Sequence, residues 1–242
     1  MVKSMLLGAV CAVCLMSAPA TPPQFGHSVT AVVTADAALY NESRGEGGIC
    51  GEVKAGTAVE IVEDRSGEWY AVAGAVDGQR GWMSAGALEI PPDTAANREQ
   101  VSTEALENYV NSRRVESRTG YLLFADLDRQ QTHVFAGAVG EWRLLRSLPC
   151  ATGKNVSPTK RGLFACETRG EWFYSQRLRS GARYWIRFDG PYLFHSLAMD
   201  ANGEVIDFTI GERVSSGCVR LAVEDARWLY ENIPDMTAVL IV

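Results

Sequence analysis

"YLLFADLDRQQTHVFAGAVGEWRLLRSLPC", residues 121–150, carries three short apolar runs, "YLLFADLD", "QTHVFAGAV" and "EWRLLRSLPC", set apart by polar residues. Runs this short, rich in Leu, Val, Phe and Trp, have strand length rather than helix length. The pattern continues downstream in "GLFACET" (162–168), "YWIRF" (184–188) and "YLFHSLAM" (192–199). Only "VEDARWLYENI" (223–233) reads as a helix, with Glu224 and Asp225 in the first turn, where the helix dipole favours acids. The second half of the chain is therefore expected to be mainly β, with one late helix.

Working outward toward the N-terminus, residues 102–114, "STEALENYVNSRR", predict a helix capped by Ser102 or Thr103, with Leu106, Tyr109 and Val110 on one face. Before it, "PPDTAANREQVS" (91–102) reads as a linker, opening on two prolines and continuing polar. Residues 28–90 hold "TAVVTADAALY", "GTAVEIVED", "GEWYAVAGAV" and "RGWMSAGALEI", punctuated by turn signals at Gly45, Glu46, Gly47 and Gly48 and at Asp77 and Gly78. Such spacing predicts a small closed barrel, an architecture that removes sheet edges. The fold class is mainly β, a small N-terminal barrel followed by a β-rich domain with few helices.

The 242 residues are enough for one full-sized domain and a small companion. Lys3, the apolar residues 5–16, and Ala18, Pro19 and Ala20 form the n-region, h-region and small-x-small site of an export signal cut after Ala20; the alternative is an uncleaved anchor. No later stretch is long and apolar enough to span a membrane. Loss of residues 1–20 removes Lys3 alone among the charges, so 23 Lys+Arg fall to 22 against 29 Asp+Glu, a net of −7. So acidic a chain without a basic stripe argues against nucleic acid as a partner.

Of six cysteines, Cys11 and Cys14 fall in the signal and neither sits in a lipobox, leaving Cys50, Cys150, Cys166 and Cys218. Four thiols in an exported protein allow three connectivities, among which Cys150 with Cys166 is the expected pair if Cys218 stays free. The histidines are His27 beside the signal, His133 in a strand pattern, and His195 in "GPYLFHSLAMD". A thiol needs a base or a positive neighbour to become a thiolate, and His195 is the partner that suits Cys218. Gly217 permits a sharp turn that exposes the sulfur and aims main-chain N–H groups at an oxyanion. Taken alone, Cys218 equally suits a buried structural thiol.

Four ordered segments then carry a resemblance. "CATGKNVSPTKRGLF" (150–164), "YLFHS" with His195 and Ser196, "SSGCVR" with Ser215, Ser216, Gly217, Cys218 and Arg220, and "VEDARWLYENIPDMTAVLIV" (223–242) are together similar to the L,D-transpeptidase (YkuD-type) catalytic domain. Residues 28–90 resemble a bacterial Src-homology-3-like barrel, "GEWYAV" and "GWMSAGAL" standing for its late strands. The resemblance gives four parts: 1–20 signal, 28–90 barrel, 91–120 linker and helix, 121–242 catalytic domain.

The resemblance implies a cysteine acyltransferase. Cys218 would be the nucleophile and His195 its base, oriented by the main-chain carbonyl of Ser196, with the N–H groups of Gly217 and Cys218 as oxyanion hole. Arg220, Ser215, Ser216 and Tyr184, with Trp185 beside it, are the candidate substrate contacts. The implied partners are peptidoglycan stem peptides, as donor and acceptor, with wall polymer a further partner for the barrel; neither metal nor organic cofactor nor nucleic acid is implied, and a monomer is expected. Two departures stand out: Ser216 replaces the family's histidine before the glycine, and 19 residues separate His195 from Ser215, slightly more than usual, with a turn at Asp200, Ala201, Asn202 and Gly203 to absorb them. NlpC-type peptidases place cysteine before histidine and sortases place the histidine far upstream, so both fit worse. A non-catalytic wall-binding protein and an L,D-carboxypeptidase stay as alternatives, and the exported chain is expected at the cell wall.

Overall fold

The computed structural model describes residues 23–74 and 78–242. The export signal, Cys11, Cys14 and Asp77 lie outside the described residues. No helix among those described is long and apolar enough to cross a membrane.

Seven strands come first: β1 (Val29–Val33), β2 (Ala37–Tyr40), β3 (Ile49–Val53), β4 (Ala58–Arg65), β5 (Trp69–Ala73), β6 (Arg80–Ser84) and β7 (Leu88–Glu89). They pair in the order β3-β2-β6-β5-β4-β1-β7, every ladder antiparallel, and curl around one core of Val29, Ala31, Leu39, Val53, Ile61, Val72 and Met83. Alternation sets the faces: Val29, Ala31 and Val33 point inward while Thr30 and Val32 are exposed.

The helix α1 (Thr103–Ser112) begins where the capping residue predicts, Ala105 N–H donating to Ser102 Oγ at 3.2 Å. Twelve strands and one helix follow: β8 (Tyr121–Asp126), β9 (Gln131–Ala136), β10 (Arg143–Gly153), β11 (Gly162–Ala165), β12 (Arg169–Ser175), β13 (Ser180–Asp189), β14 (Tyr192–His195), β15 (Ala198–Met199), β16 (Val205–Asp207), β17 (Arg213–Ser215), β18 (Val219–Leu221), α2 (Val223–Asn232) and β19 (Ala238–Ile241). The main path runs β11-β19-β8-β9-β10-β18-β14-β13-β15-β16, with β12 on β13 and β17 on β10. The near-continuous apolar run of β8 has a physical reason, since it is buried on both faces. Leu123 and Ala125 join the larger core with Val219, Leu221 and Leu229, while Leu122 and Phe124 join Leu106 and Val110 of α1.

Two expectations need correction. The Cys150–Cys166 disulfide does not form: all four described cysteines are free thiols. Cys150 lies within β10 and Cys166 just beyond β11, and along the sheet β19, β8 and β9 stand between those strands. The linker is no free tether either. Asn155 Nδ2 donates to the carbonyls of Pro91 (3.2 Å) and Pro92 (2.9 Å), Asp93 accepts from the Asn155 N–H, and Arg213 Nη1 donates to Thr94 O at 2.7 Å. The prolines supply carbonyls without N–H groups of their own, and the second half of the chain supplies the donors.

Candidate active site

Cys218 sits at the mouth of β18, and β18 runs parallel to β14 with His195 opposite Arg220 and Phe194 opposite Val219. Adjacent strands of one sheet thus bring together residues 23 apart in sequence. The turn before Cys218 is built by Gly217 at φ +102°, a conformation L side chains rarely adopt. A Cβ there would meet Tyr192 Cε1 at 2.5 Å, which is a second reason for glycine. Ser215 stitches the turn from inside: its hydroxyl donates to Cys218 O at 2.7 Å and accepts from the Gly217 N–H at 3.1 Å. Ser216 is exposed on the outside.

This stitching bears on the two N–H groups expected to form the oxyanion hole. The Gly217 N–H is committed to Ser215, leaving the Cys218 N–H, which has no main-chain acceptor outside the ladders among the described residues, as the remaining donor of the pair.

His195 is buried, 8% exposed, with Nδ1 2.6 Å from Ser196 O. A carbonyl only accepts, so Nδ1 carries the proton and the Nε2 lone pair points elsewhere. Ser196 is itself fixed on β13, its N–H donating to Arg183 O (3.0 Å), its Oγ accepting from Arg183 N (2.8 Å) and donating to Leu197 O (3.0 Å). The Phe173 ring meets the imidazole edge-on, centroids 5.9 Å apart. Burial pushes the imidazole pKa down to about 4, with the Ser196 carbonyl opposing and the Arg220 charge reinforcing that shift.

The Cys218 thiol, half-buried, donates to Pro191 O at 3.7 Å. Burial pushes it up to about 11, while the Leu193 N–H directed at the sulfur and the Arg220 guanidinium work the other way. At neutral pH the resting pair is a thiol and a neutral imidazole, a proton donor and a proton acceptor on adjacent strands. The structure does not join them by a hydrogen bond.

Arg220 is 7% exposed and its Nη1 pairs with Asp207 Oδ2 at 2.5 Å, while its Nε is buried without a partner. Burial alone would raise the Asp207 carboxyl, but Thr209 and Arg220 outweigh it and hold it at about 2. The extra residues after Ser196 build the β15–β16 hairpin, tied at its tip by Asp200 N–H donating to Glu204 O, and this hairpin delivers Asp207. Tyr184 is not brought to Cys218: its ring packs on Tyr230 of α2, centroids 5.8 Å apart. Trp185 lies at the β12–β13 hairpin, Nε1 donating to Trp172 O. His133 bonds Ser147 and stacks on Phe124, and His27 faces Asn155.

Leu193, Tyr192, Phe173 and Asp207 escaped the sequence reading. A main-chain N–H has no residue signature, and Asp207 reaches Arg220 only through a hairpin. Tyr192, three residues before His195, was the nearest to legible.

The L,D-transpeptidase catalytic domain (YkuD) family description matches residues 120–241. A Bacillus subtilis (strain 168) protein, YciB, named as a candidate L,D-transpeptidase, is 44% identical over 89 residues, covering 34% of this chain and 46% of that protein. The chain therefore matches about half the length of that relative. A crystal structure of a fused Zn-dependent amidase/peptidase/peptidoglycan-binding domain-containing protein from Clostridium acetobutylicum ATCC 824 superimposes with a TM-score of 0.51 at 30% identity, covering 62% of this chain and 65% of that one. An L,D-transpeptidase from Mycobacterium smegmatis gives a TM-score of 0.40 at 16% identity, covering 72% and 66%.

Proposed function

Because the chain belongs to the L,D-transpeptidase catalytic domain family, we propose that it is an exported cysteine acyltransferase that cross-links peptidoglycan stem peptides through a Cys218 thioester. The observation that carries this reading is the pairing of β14 with β18, which places His195, its Nδ1 proton held by Ser196 O, on the strand beside the one that begins just after Cys218.

In the first step Nε2 of His195 takes the Cys218 proton and the sulfur attacks the carbonyl that joins a third-position diamino acid to D-alanine. The tetrahedral oxyanion is met by the Cys218 N–H, and loss of one such donor typically costs ~10²–10³ in rate. The C–N bond breaks, His195 returns its proton to the departing D-alanine amine, and a thioester remains. An amine of a second stem then attacks the thioester, its proton passes to His195, the C–S bond breaks, and the sulfur recovers the proton. The ion pair between buried Arg220 and half-exposed Asp207 fixes β18 against the β15–β16 hairpin.

The test is incubation of the mature chain with a purified disaccharide tetrapeptide, with product masses read by chromatography. Cross-linked dimers and free D-alanine, both absent with Cys218→Ala, support the reading. Tripeptide without dimers makes the enzyme a carboxypeptidase, and no product from wild type favours a binding protein.

A further inference from the structure

Between the barrel and the candidate active site lies the loop of residues 154–161. Residues 154–161, between β10 and β11, are gripped on one side by the Cys218 turn. The Lys154 N–H donates to Ser215 O at 3.1 Å, the Gly153 N–H to Thr159 Oγ1 at 2.9 Å, and Pro158 O lies 3.4 Å from the position a Cβ would take at Gly217. Ser215 is the residue that stitches Gly217 to Cys218.

On its other side the same loop is gripped by the barrel. Tyr70 Oη donates to Val156 O at 2.8 Å, Ser157 Oγ donates to Asp64, Arg161 pairs with Glu60, and Lys160 Nζ bridges Glu63 (3.3 Å) and Asp189 (2.8 Å). Strict alternation along β4 would put Glu60 and Glu63 on opposite faces. A bulge between Ile61 and Glu63 brings both to the loop, the re-aiming that bulges supply. Single surface ion pairs contribute little, but here one hydrogen-bonding tyrosine and three acids converge on four residues of one loop. Within the same loop, Lys154 meets Ser215 and Pro158 meets Gly217.

We propose that the barrel is a positioning module for the nucleophile: strand β4, through Glu60, Glu63 and Asp64, and Tyr70 beside it, clamps the 154–161 loop against the Ser215–Cys218 turn. This rests on the reading of Cys218 as the nucleophile. Glu60, Glu63, Asp64 and Tyr70 are positioning residues and touch no reacting atom. Release of the clamp lets the loop and turn relax, solvating the thiol while taking it out of line, and a shift near 1 Å costs on the order of 10²-fold in rate.

The experiment uses the full mature chain with Tyr70→Phe, Glu60→Arg, Arg161→Glu, and the Glu60→Arg/Arg161→Glu double swap. Three readouts are taken: kcat and KM for D-alanine release from a stem tetrapeptide, iodoacetamide alkylation of Cys218, and alkylation of Cys150 and Cys166. The charge-reversal variants are expected to lower kcat roughly tenfold or more with KM little changed, within the loss a misplaced reacting group brings. Tyr70→Phe is expected to do the same to a smaller degree. Cys218 alkylates faster in all three while Cys150 and Cys166 stay protected, and the double swap returns both values toward wild type. Unchanged kcat and unchanged Cys218 alkylation in every variant overturn the proposal, as does opening of Cys150 and Cys166 together with Cys218, which marks global unfolding. If wild type releases no D-alanine but Cys218 alkylation still rises in the single variants and returns in the swap, the clamp stands and the transpeptidase reading falls.

Discussion

Gly217→Ala perturbs the turn at one atom. Gly217 has φ +102°, and an added Cβ would lie 2.5 Å from Tyr192 Cε1 and 3.0 Å from its Cδ1, with Pro158 O at 3.4 Å on the other side. Tyr192 is 5% exposed and stacked on Phe188, centroids 6.1 Å apart, so its ring cannot move aside without opening the core. A non-glycine residue held in a sparsely populated backbone region costs ~1–3 kcal/mol, and forcing a methyl into packed surroundings a similar ~1–3 kcal/mol, together about 2–6 kcal/mol. Part of that cost is relieved by a shift of the turn, and a displacement of the sulfur near 1 Å lowers turnover by about 10². Urea unfolding measures the first effect and D-alanine release the second. A Gly217→Ala protein with wild-type unfolding midpoint and wild-type turnover would refute both the backbone conformation and the Tyr192 contact.

Three further outcomes follow from the same geometry. With the thiol pushed up to about 11, the rate of Cys218 alkylation by iodoacetamide should rise tenfold per pH unit from pH 6 to 9, whereas a plateau by pH 8 would mean a thiolate–imidazolium resting pair. His133 and His195 are both pushed from 6.5 to about 4 by burial, so the unfolded chain binds more protons, and stability is full above pH 6.5 and falls as pH drops toward 4. Each contributes about 3 kcal/mol at the acid limit, and His133→Phe should remove about half of that loss between urea melts at pH 7 and pH 4.5. Finally, native mature protein should label at Cys50 and Cys218 with a thiol reagent, and at Cys150 and Cys166 only after unfolding; a disulfide-linked peptide containing Cys150 and Cys166 would contradict the four free thiols.

The strands of the second domain were legible because their apolar runs report burial directly, and α1 and α2 because capping and first-turn acids mark where helices begin. The motif also names His195 and Cys218 together, and β14 and β18 bring them to adjacent strands. What the sequence hid was whatever depends on the third dimension alone. Cys150 and Cys166 flank one loop in the chain, yet β19, β8 and β9 come between their strands in the sheet. Nothing local in the sequence says that Ser215 Oγ accepts the Gly217 N–H. Tyr184 looked like a groove residue, but a positive φ of 56° and the ring of Tyr230 turn it to α2. The linker's composition is that of a tether, and Asp128, Arg129, Asn155 and Arg213, far along the chain, make it a strap.

The central claim is that Cys218 becomes acylated with His195 as its base, and intact mass of the mature chain tests it most directly. The protein is incubated with a carbapenem beside Cys218→Ala and His195→Gln. The account predicts one covalent adduct on wild type, none on Cys218→Ala, and slow formation on His195→Gln that speeds up as pH is raised. An adduct that persists in Cys218→Ala, or reduced wild type that acquires none, would contradict it.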